Sequence, residues 1–471
     1  MKRIACCLLA AISWLAVPAR GGVRPRYGGT LRVAMAGVVS SLDPSDGGVL
    51  HSEADSIARA RIVRLIFDTL VRVDTEDHAH PQLAVAWQAD RSFKRWQFWL
   101  RPGIRFSDGT PLAAVAVAQE LASWHPEWAV RNDGEAIVIE SETPQPAMLA
   151  ELALGRNAVV QRGANGELIG TGAFFIKNFA PSKSLELAAN ENSWGGRPFV
   201  DSVQIEFGKS PRDQMLALQL GKVDLIELSA DQIAKVESEG LGVRASLPME
   251  LLAVVATLGG KAQDRRVRDA LSAAIDRQST QSVLLRGGSE VAGGILPEWI
   301  SGVGFLFPAQ ADLRKARELV AAAGSGQAGA PAATRALPVL TLSADAGDAL
   351  GRLIAERVAL NAREVGLQIQ VVSAIPPGAT ADLRLARIVL VSPDPGVALR
   401  DVGKIVGANV QVGGSSPQDV YVAEKKLIED GGLIPLFHLP LATLAGERVR
   451  NFPVERLEAW PIEEVWLEAG P

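Results

Sequence analysis

Short extended runs and amphipathic helical runs follow one another through the first and last thirds of this 471-residue chain. That alternation limits the fold more than any other feature. It predicts α/β units with mixed sheets and argues against an all-helical bundle. In "GGTLRVAMAG", Leu31 and Val33 alternate with Thr30 and Arg32, as in a half-buried strand. In "VRDALSAAIDRQ", Val267, Ala270, Leu271, Ala274 and Ile275 recur at helical spacing. Further helices are expected over 52–70, in "DLRKARELVAAAG" closed by Gly324, over 348–365 closed by Gly366, and in "SPQDVYVAEKKLIEDGG". No period repeats, so solenoids and propellers are excluded. At roughly 100–200 residues per domain, the length predicts two to four lobes.

The first residues read as an export signal. Lys2 and Arg3 precede an almost wholly apolar run, Ile4–Val17, and Val17-Pro18-Ala19 offers small residues for cleavage. The run is short for a membrane span. Both cysteines, Cys6 and Cys7, lie within residues 1–19, so a chain cleaved after Ala19 has neither thiol nor disulfide. Its formal charge falls from −5 to −7 with the loss of Lys2 and Arg3. An acidic exported chain does not suit nucleic acid, which calls for a phosphate-neutralising surface.

The stretch "FWLRPGIRFSDGTPLAA" combines a strand, with Trp96, Phe98 and Leu100 on one face, and two turns at Pro102-Gly103 and Asp108-Gly109. Thr110 is then placed to cap a helix whose first position is Pro111. Reactive chemistry is scarce. There is no Gly-x-Ser-x-Gly elbow, no His-Glu-x-x-His, no phosphate loop and no zinc spacing. "DTEDHAH" (74–80) sets two histidines among three acids and reads as a polar loop in preference to a metal site. His438, inside "LIPLFHLPL", reads as a hydrogen-bonded, partly buried histidine more readily than as a ligand contact. Trp299 in "LPEWISG" is either a lid on a cleft or ordinary core. Trp87, Trp96, Trp99, Trp124 and Trp128 are expected to build one local core.

"LRPGIRFSDGTPLAA" resembles a hallmark run of the extracellular solute-binding proteins of the dipeptide/oligopeptide/nickel type, family 5, the binding subunits of ABC importers. Further similar segments follow in family order: "YGGTLRVA…SLDP", "IFDTLV", "PQLAVAW", "GTGAFFIKNF", "NSWGGRPFVDSVQIEF", "LALQLGKVDLIEL", "RRVRDALSAAIDRQ", "KARELVAAAG" and "IPLFH". The resemblance spans about 27–450. It implies a two-lobed periplasmic-binding-protein fold of type II with an extra lobe. Residues 27–66, 167–250 and 433–471 would form the first main lobe, 67–166 the extra lobe and 251–432 the second main lobe.

The same resemblance implies a binding protein and not an enzyme. It would have no cofactor and no metal, and would capture a peptide or similar small solute for a membrane permease, as a monomer. The alternative is a degenerate member acting as a sensory or protein-interaction module. Family members that bind peptides often carry Trp-x-Ala-Asp-Tyr-x-Asp-Pro in the second lobe. Here that run is "RIVLVSPDPGVAL", which keeps only Asp394-Pro395. The residues expected to meet a solute are Val49, Trp299, Ser392, Asp394 and His438, with turn formation the competing role for Asp394.

Overall fold

In a computed structural model, the described residues are 24–46, 53–286, 288–325, 337–376, 378–414, 416–454, 457 and 460–468. The expected export signal, residues 1–19, and Val49 lie outside the described residues.

The backbone of the molecule is one long mixed sheet. Its order is Phe174–Ala180, Ser184–Ala189, Ser202–Glu206, Thr30–Ala34, Leu225–Leu228, Leu433–Ala445, Val243–Ala256, Leu383–Val389, Leu340–Ser343 and Ile369–Val372. Thr30–Ala34 runs parallel to both of its neighbours, with Leu31 beside Val203 and Val33 beside Leu225. Two strands are far longer than the rest. Val243–Ala256 and Leu433–Ala445 lie antiparallel and pass from one half of the sheet to the other. At one end Ala442–Ala445 pairs with Leu225–Leu228. At the other, Glu250–Ala256 pairs with Leu383–Val389.

Between those ends the register slips, and Pro248 stands opposite Pro440. Proline has no N–H to give, so the ladder is broken on both strands at the same place. Ser246 bridges part of the gap by accepting the Leu441 N–H at 2.9 Å. The crossing is therefore firmly paired on either side and loose in the middle.

Each half of the sheet carries helices on both faces, because alternate strand residues point opposite ways. In the far half, Leu252 and Val254 join the core under helices Arg265–Ala274 and Ala349–Glu364. Leu251, Ala253 and Val255 join the core under Pro395–Val406 and Pro417–Gly431. In the near half, Leu225 packs with helix Glu53–Ile66, and Ile226 with helix Ala230–Ser238. A separate four-stranded antiparallel sheet has the order Ala84–Ala89, Arg95–Leu100, Ala136–Ser141, Trp128–Asp133. With helix Ala114–Trp124 it encloses a third core around Trp96, Phe98 and Ile137.

This smaller unit is tied to the near half by a buried carboxylate. Asp68 accepts from Gln82 Nε2 at 2.7 Å, and from Thr171 Oγ1 and Trp194 Nε1, each at 2.8 Å. Burial pushes its carboxyl above the ordinary range, and the three donors oppose that shift. The outgoing and returning chain segments touch here. A Cβ on Gly170 would lie 1.9 Å from the Ile66 carbonyl oxygen, and one on Gly172 would lie 2.6 Å from that of Leu65. Asn190 Nδ2 donates to the Gly172 carbonyl, and the Ser107 N–H donates to that of Gly170.

The expected strand and helix order holds with shifted ends. Two expectations are corrected. Gly324 does not close its helix, which runs through it from Leu313 to Ser325. Thr110 does not cap a helix: its hydroxyl donates to Asp108 Oδ1 at 2.7 Å, and the helix begins at Ala114. The Asx-type turn at Asp108-Gly109 competes for the hydroxyl and wins. The short run "IRF" contributes a single bridge, Arg105 to Pro111, and not a strand. Of the five tryptophans assigned to one core, Trp96 and Trp128 are buried in it and half-buried Trp87 packs against it, while half-buried Trp99 and Trp124 are not part of it, Trp99 because it alternates onto the opposite face of its strand.

Two predictions follow from this packing. Gly170→Ala should cost about 3 kcal/mol or more, since backbone must move to admit the Cβ. Gly103→Ala, in a left-handed turn with open space around it, should cost only about 1 kcal/mol. Urea midpoints compare them, and equal shifts would refute the steric account. The second concerns Glu424, which is fully buried. Its Oε1 accepts the N–H groups of Ile295 and Leu296, while Oε2 has no partner among the described residues. Burial pushes its carboxyl from 4.5 up to about 7. The folded chain thus keeps a proton that the unfolded chain has released, so stability falls as pH rises from about 4.5 to 7. Glu424→Gln should remove that slope and add up to about 3 kcal/mol above neutrality, with little change in acid. Denaturation at a series of pH values measures it, and an unchanged slope would count against the assignment.

Candidate functional site

Of the residues singled out from the sequence, Trp299 and His438 lie at the loose part of the crossing, Ser392 and Asp394 follow the strand that ends beside it, and Val49 lies outside the described residues. Trp299 is half-buried and donates its indole N–H to the Pro248 carbonyl at 2.9 Å. It is thus fixed to the strand break itself. The strand Leu383–Val389 ends beside it, with the Leu390 N–H donating to the Met249 carbonyl. Ser392 is fully buried, and its Oγ accepts the Asp394 N–H at 3.2 Å. Asp394 caps the helix Pro395–Val406: its Oδ1 accepts the Val397 N–H at 2.7 Å, and Pro395 takes the first helical position. Its Oδ2 has no hydrogen-bond partner among the described residues. His438 lies two residues before Pro440, opposite Leu251. It is buried and its Nε2 donates to the Ile295 carbonyl at 3.0 Å.

Residues that sequence reasoning missed complete the picture. The small unit meets the far half directly along a seam. Ala150 and Leu154 pack with Val397 in a buried apolar cluster, flanked by Ala147 and Val391. Arg156 donates to Glu151 on its own side and to Asp401 Oδ2 on the other, each at 2.9 Å. The two acids hold its guanidinium charge more firmly than in water, against the cost of burial. Lys404 Nζ lies 3.3 Å from the same Asp401.

Opposed charges are not the only ones at this seam. Asp77, in a left-handed backbone conformation with φ 60°, comes under the influence of Asp394 from the far half. Desolvation, then the carboxylates of Asp394 and Asp74, push the Asp77 carboxyl up to about 6, with His78 acting the other way. The surrounding "DTEDHAH" turn closes on itself. Asp74 accepts the Glu76 and His78 N–H groups and bonds His80 Nε2 at 2.8 Å, which pulls its carboxyl down to about 2. No cluster of three or more potential metal ligands occurs among the described residues.

The crossing also carries a buried ion cluster. Glu250, in the first crossing strand, is almost wholly enclosed and is held by Arg387, whose Nη2 lies 2.8 Å from Oε2. Asp348 accepts from the same guanidinium at 3.1 Å. Both acids raise the arginine's affinity for its proton against desolvation. Neither the Arg387 cluster nor the Arg156 bridge has a local motif, because their partners lie far apart in sequence. Pro248 and Pro440 were visible as prolines within strand-like runs, the one sequence signal of a broken ladder.

Such an arrangement positions groups without activating any. It offers paired halves, a flexible crossing and a seam of contrasting charges. Residues 78–387 match the family described as bacterial extracellular solute-binding proteins, family 5, middle region. The chain is 24% identical over 345 residues to the nickel-binding periplasmic protein of Escherichia coli (strain K12), covering 65% of this chain and 66% of that one. It is 22% identical over 338 residues to the oligopeptide-binding protein AppA of Bacillus subtilis (strain 168), covering 64% and 60%. The alignments thus span two thirds or less of these curated relatives.

Solved structures share the whole fold. NikA from Staphylococcus aureus in complex with Ni(L-His)2 superposes with a TM-score of 0.76 at 15% identity, covering 93% of this chain and 100% of that one. The periplasmic binding protein DppA from Helicobacter pylori in complex with the peptide STSA gives 0.77 at 17%, covering 94% and 99%. The fold is the two-lobed one of periplasmic binding proteins. The family is one of non-enzymatic solute-binding proteins, and this chain belongs to it.

Proposed function

We propose that this chain is the exported solute-binding component of an ABC importer and that it captures a peptide or similar small organic solute between two closing lobes. Residues 1–19 would direct export to the periplasm and be removed. The first main lobe would comprise 27–66, 167–250 and 433–471, the extra lobe 67–166, and the second main lobe 251–432. Separate cores on the two halves of the sheet and in the small unit support that division. The membrane permease would read the closed form.

One observation carries the choice of ligand. The negative charge of Asp394 acts on the Asp77 carboxyl across the seam. Two carboxylates brought together repel unless a cation comes between them. A peptide's amino terminus is such a cation, and Asp394 Oδ2 is free to receive it. Ser392 would hold Asp394 in place, and Trp299 would brace the hinge. His438, enclosed by its own half, stands apart from this position. Direct packing of Val397 on Ala150 and Leu154 favours a second reading, a module whose closed form is held by its own side chains and signals to a membrane partner.

Calorimetry with di- to pentapeptides tests the first reading, alongside N-acetylated counterparts and nickel–histidine. Free-amine peptides should bind and, at a hundredfold excess over Kd, stabilise the fold by about 2.7 kcal/mol. Asp394→Asn should weaken them by about tenfold, or 1.4 kcal/mol. Equal binding of acetylated peptides would refute the amine contact, and no binding across a broad panel would refute capture of peptides. The seam makes its own prediction. Arg156→Gln should favour the open form and weaken solute binding by roughly threefold to tenfold, a modest effect because the pair is partly exposed. Small-angle scattering should show the unliganded variant more extended than the parent. An unchanged profile would remove the bridge from the closing mechanism.

A further inference from the structure

A cavity lies away from the seam. Its volume is about 500 Å³, and residues of the segment 278–310 line it together with His438. Asp77, Asp394, Arg156 and Asp401 do not contribute to it. The solute-capture reading therefore neither requires nor explains it.

Its chemistry is one-sided. Glu290 and Glu298 line it, and no lysine or arginine does. Arg277, whose guanidinium reaches the carbonyls of Pro435 and Ala309, is buried and already surrounded by carbonyl oxygens of Ser272 and Ile275. The floor holds a polar atom with nothing to bind. His438 is only 4% exposed. A carbonyl can only accept, so the bond to Ile295 fixes the proton on Nε2. Burial pulls the imidazole down to about 4, which keeps it neutral at physiological pH. Nδ1 then carries a lone pair. It has no protein partner among the described residues, yet it is not among the fully enclosed unpaired atoms. Through the cavity is its way out. A two-residue strand, Glu290–Val291, pairs antiparallel with Leu433–Ala445 and sets Glu290 directly opposite His438, so an acceptor and an acidic side chain are adjacent.

The rest of the wall is uncharged, with Gln278 and Gln310 among glycines and apolar side chains, and part of it is fixed. A Cβ on Gly293 would lie 2.3 Å from the Phe307 carbonyl oxygen, and one on Gly294 would lie 2.6 Å from Glu424 Oε1. The same Glu424 pins the Ile295 and Leu296 amides just beyond. Phe307 is buried in the wall, while Phe305 at the rim is 75% exposed. A large aromatic left in water beside a cavity is suited to cover an apolar guest.

We propose that this cavity is a second binding site, on the far half of the molecule, for a small organic cation with an aromatic or apolar body. The ammonium or amidinium group would donate to His438 Nδ1 and pair with Glu290 and Glu298. The body would lie between Phe307 and Phe305.

Calorimetry on the full chain with phenethylamine and benzamidine tests the site, with benzoate as the anionic control. Both cations should bind saturably at one site per chain, and benzoate at least about tenfold more weakly. The exposed pair Glu290→Gln and Glu298→Gln, made together, should lower cation affinity by about tenfold or more without loss of fold. Phe305→Ala should weaken both cations by about threefold to tenfold. In a chain carrying Asp77→Asn and Asp394→Asn, which removes the amine contact proposed at the seam, one cation per chain should still bind, so that failure here and failure of peptide capture remain distinguishable. Absence of saturation at millimolar cation, equal binding of benzoate, or full affinity in the double variant would each overturn the proposal.

Discussion

Everything this molecule can do mechanically passes through two antiparallel strands, Val243–Ala256 and Leu433–Ala445. Each belongs to both halves of the sheet, so neither half can move without bending them. Long paired strands resist bending, and their resistance is a matter of continuous hydrogen bonds. Pro248 opposite Pro440 removes two donors at one level of the ladder. Ser246 and Trp299 take over the groups left there, one accepting from Leu441 and the other donating to Pro248. Compliance is thereby confined to a few residues, while paired ladders stay rigid on either side. A hinge needs this contrast, and a uniform sheet would lack it.

The attachment of the small unit obeys the opposite rule. Asp68 collects three donors from three separate segments, and Gly170 leaves no room for a Cβ beside Ile66. A buried polar network that is fully satisfied specifies one geometry. Arg101 adds to it by covering the Trp194 ring, 4.7 Å from the centroid. Several segments that carry the family resemblance meet here: "IFDTLV" supplies Asp68, "PQLAVAW" supplies Gln82, "GTGAFFIKNF" supplies Gly170 and Thr171, and "NSWGGRPFVDSVQIEF" supplies Trp194. Those runs are recognisable as strings because a tight junction restricts residue choice. They have no reactive part.

This explains what sequence reasoning could reach. Periodicity placed most strands and helices, because burial on one face imposes it locally: Trp96, Phe98 and Leu100 point inward as expected. Helix ends obeyed local chemistry at Ser416, Asp394 and Gly366, but not at Thr110, where Asp108 two residues away was the better partner for the hydroxyl. The turn-forming role weighed for Asp394 is the one its Oδ1 performs. Arg156 and Asp401, 245 residues apart, had no local mark, and neither did the approach of Asp77 to Asp394. Surface ion pairs between lobes depend on relative placement, which no periodicity encodes. The candidate site was therefore legible in its scaffold and illegible in its electrostatics.

Those electrostatics have a consequence for closure. Across one seam the chain sets an attraction, Arg156 with Asp401, and a small apolar contact, Val397 with Leu154, against a repulsion, Asp77 with Asp394. The attraction is partly exposed and so worth little, on the order of 1 kcal/mol. The carboxylate pair works in the other direction, and its cost grows as Asp77 loses its proton near pH 6. The two kinds of contribution oppose each other across the seam. That balance is what a capture device needs, because a guest shifts an equilibrium only by its differential affinity for the two forms. A seam of pure attraction would shut without a guest, and one of pure repulsion would consume the guest's binding energy in closing. On the proposed reading, a cation entering between the two carboxylates would turn the repulsive contribution into an attractive one, and the sign of that contribution would decide whether the crossing strands bend.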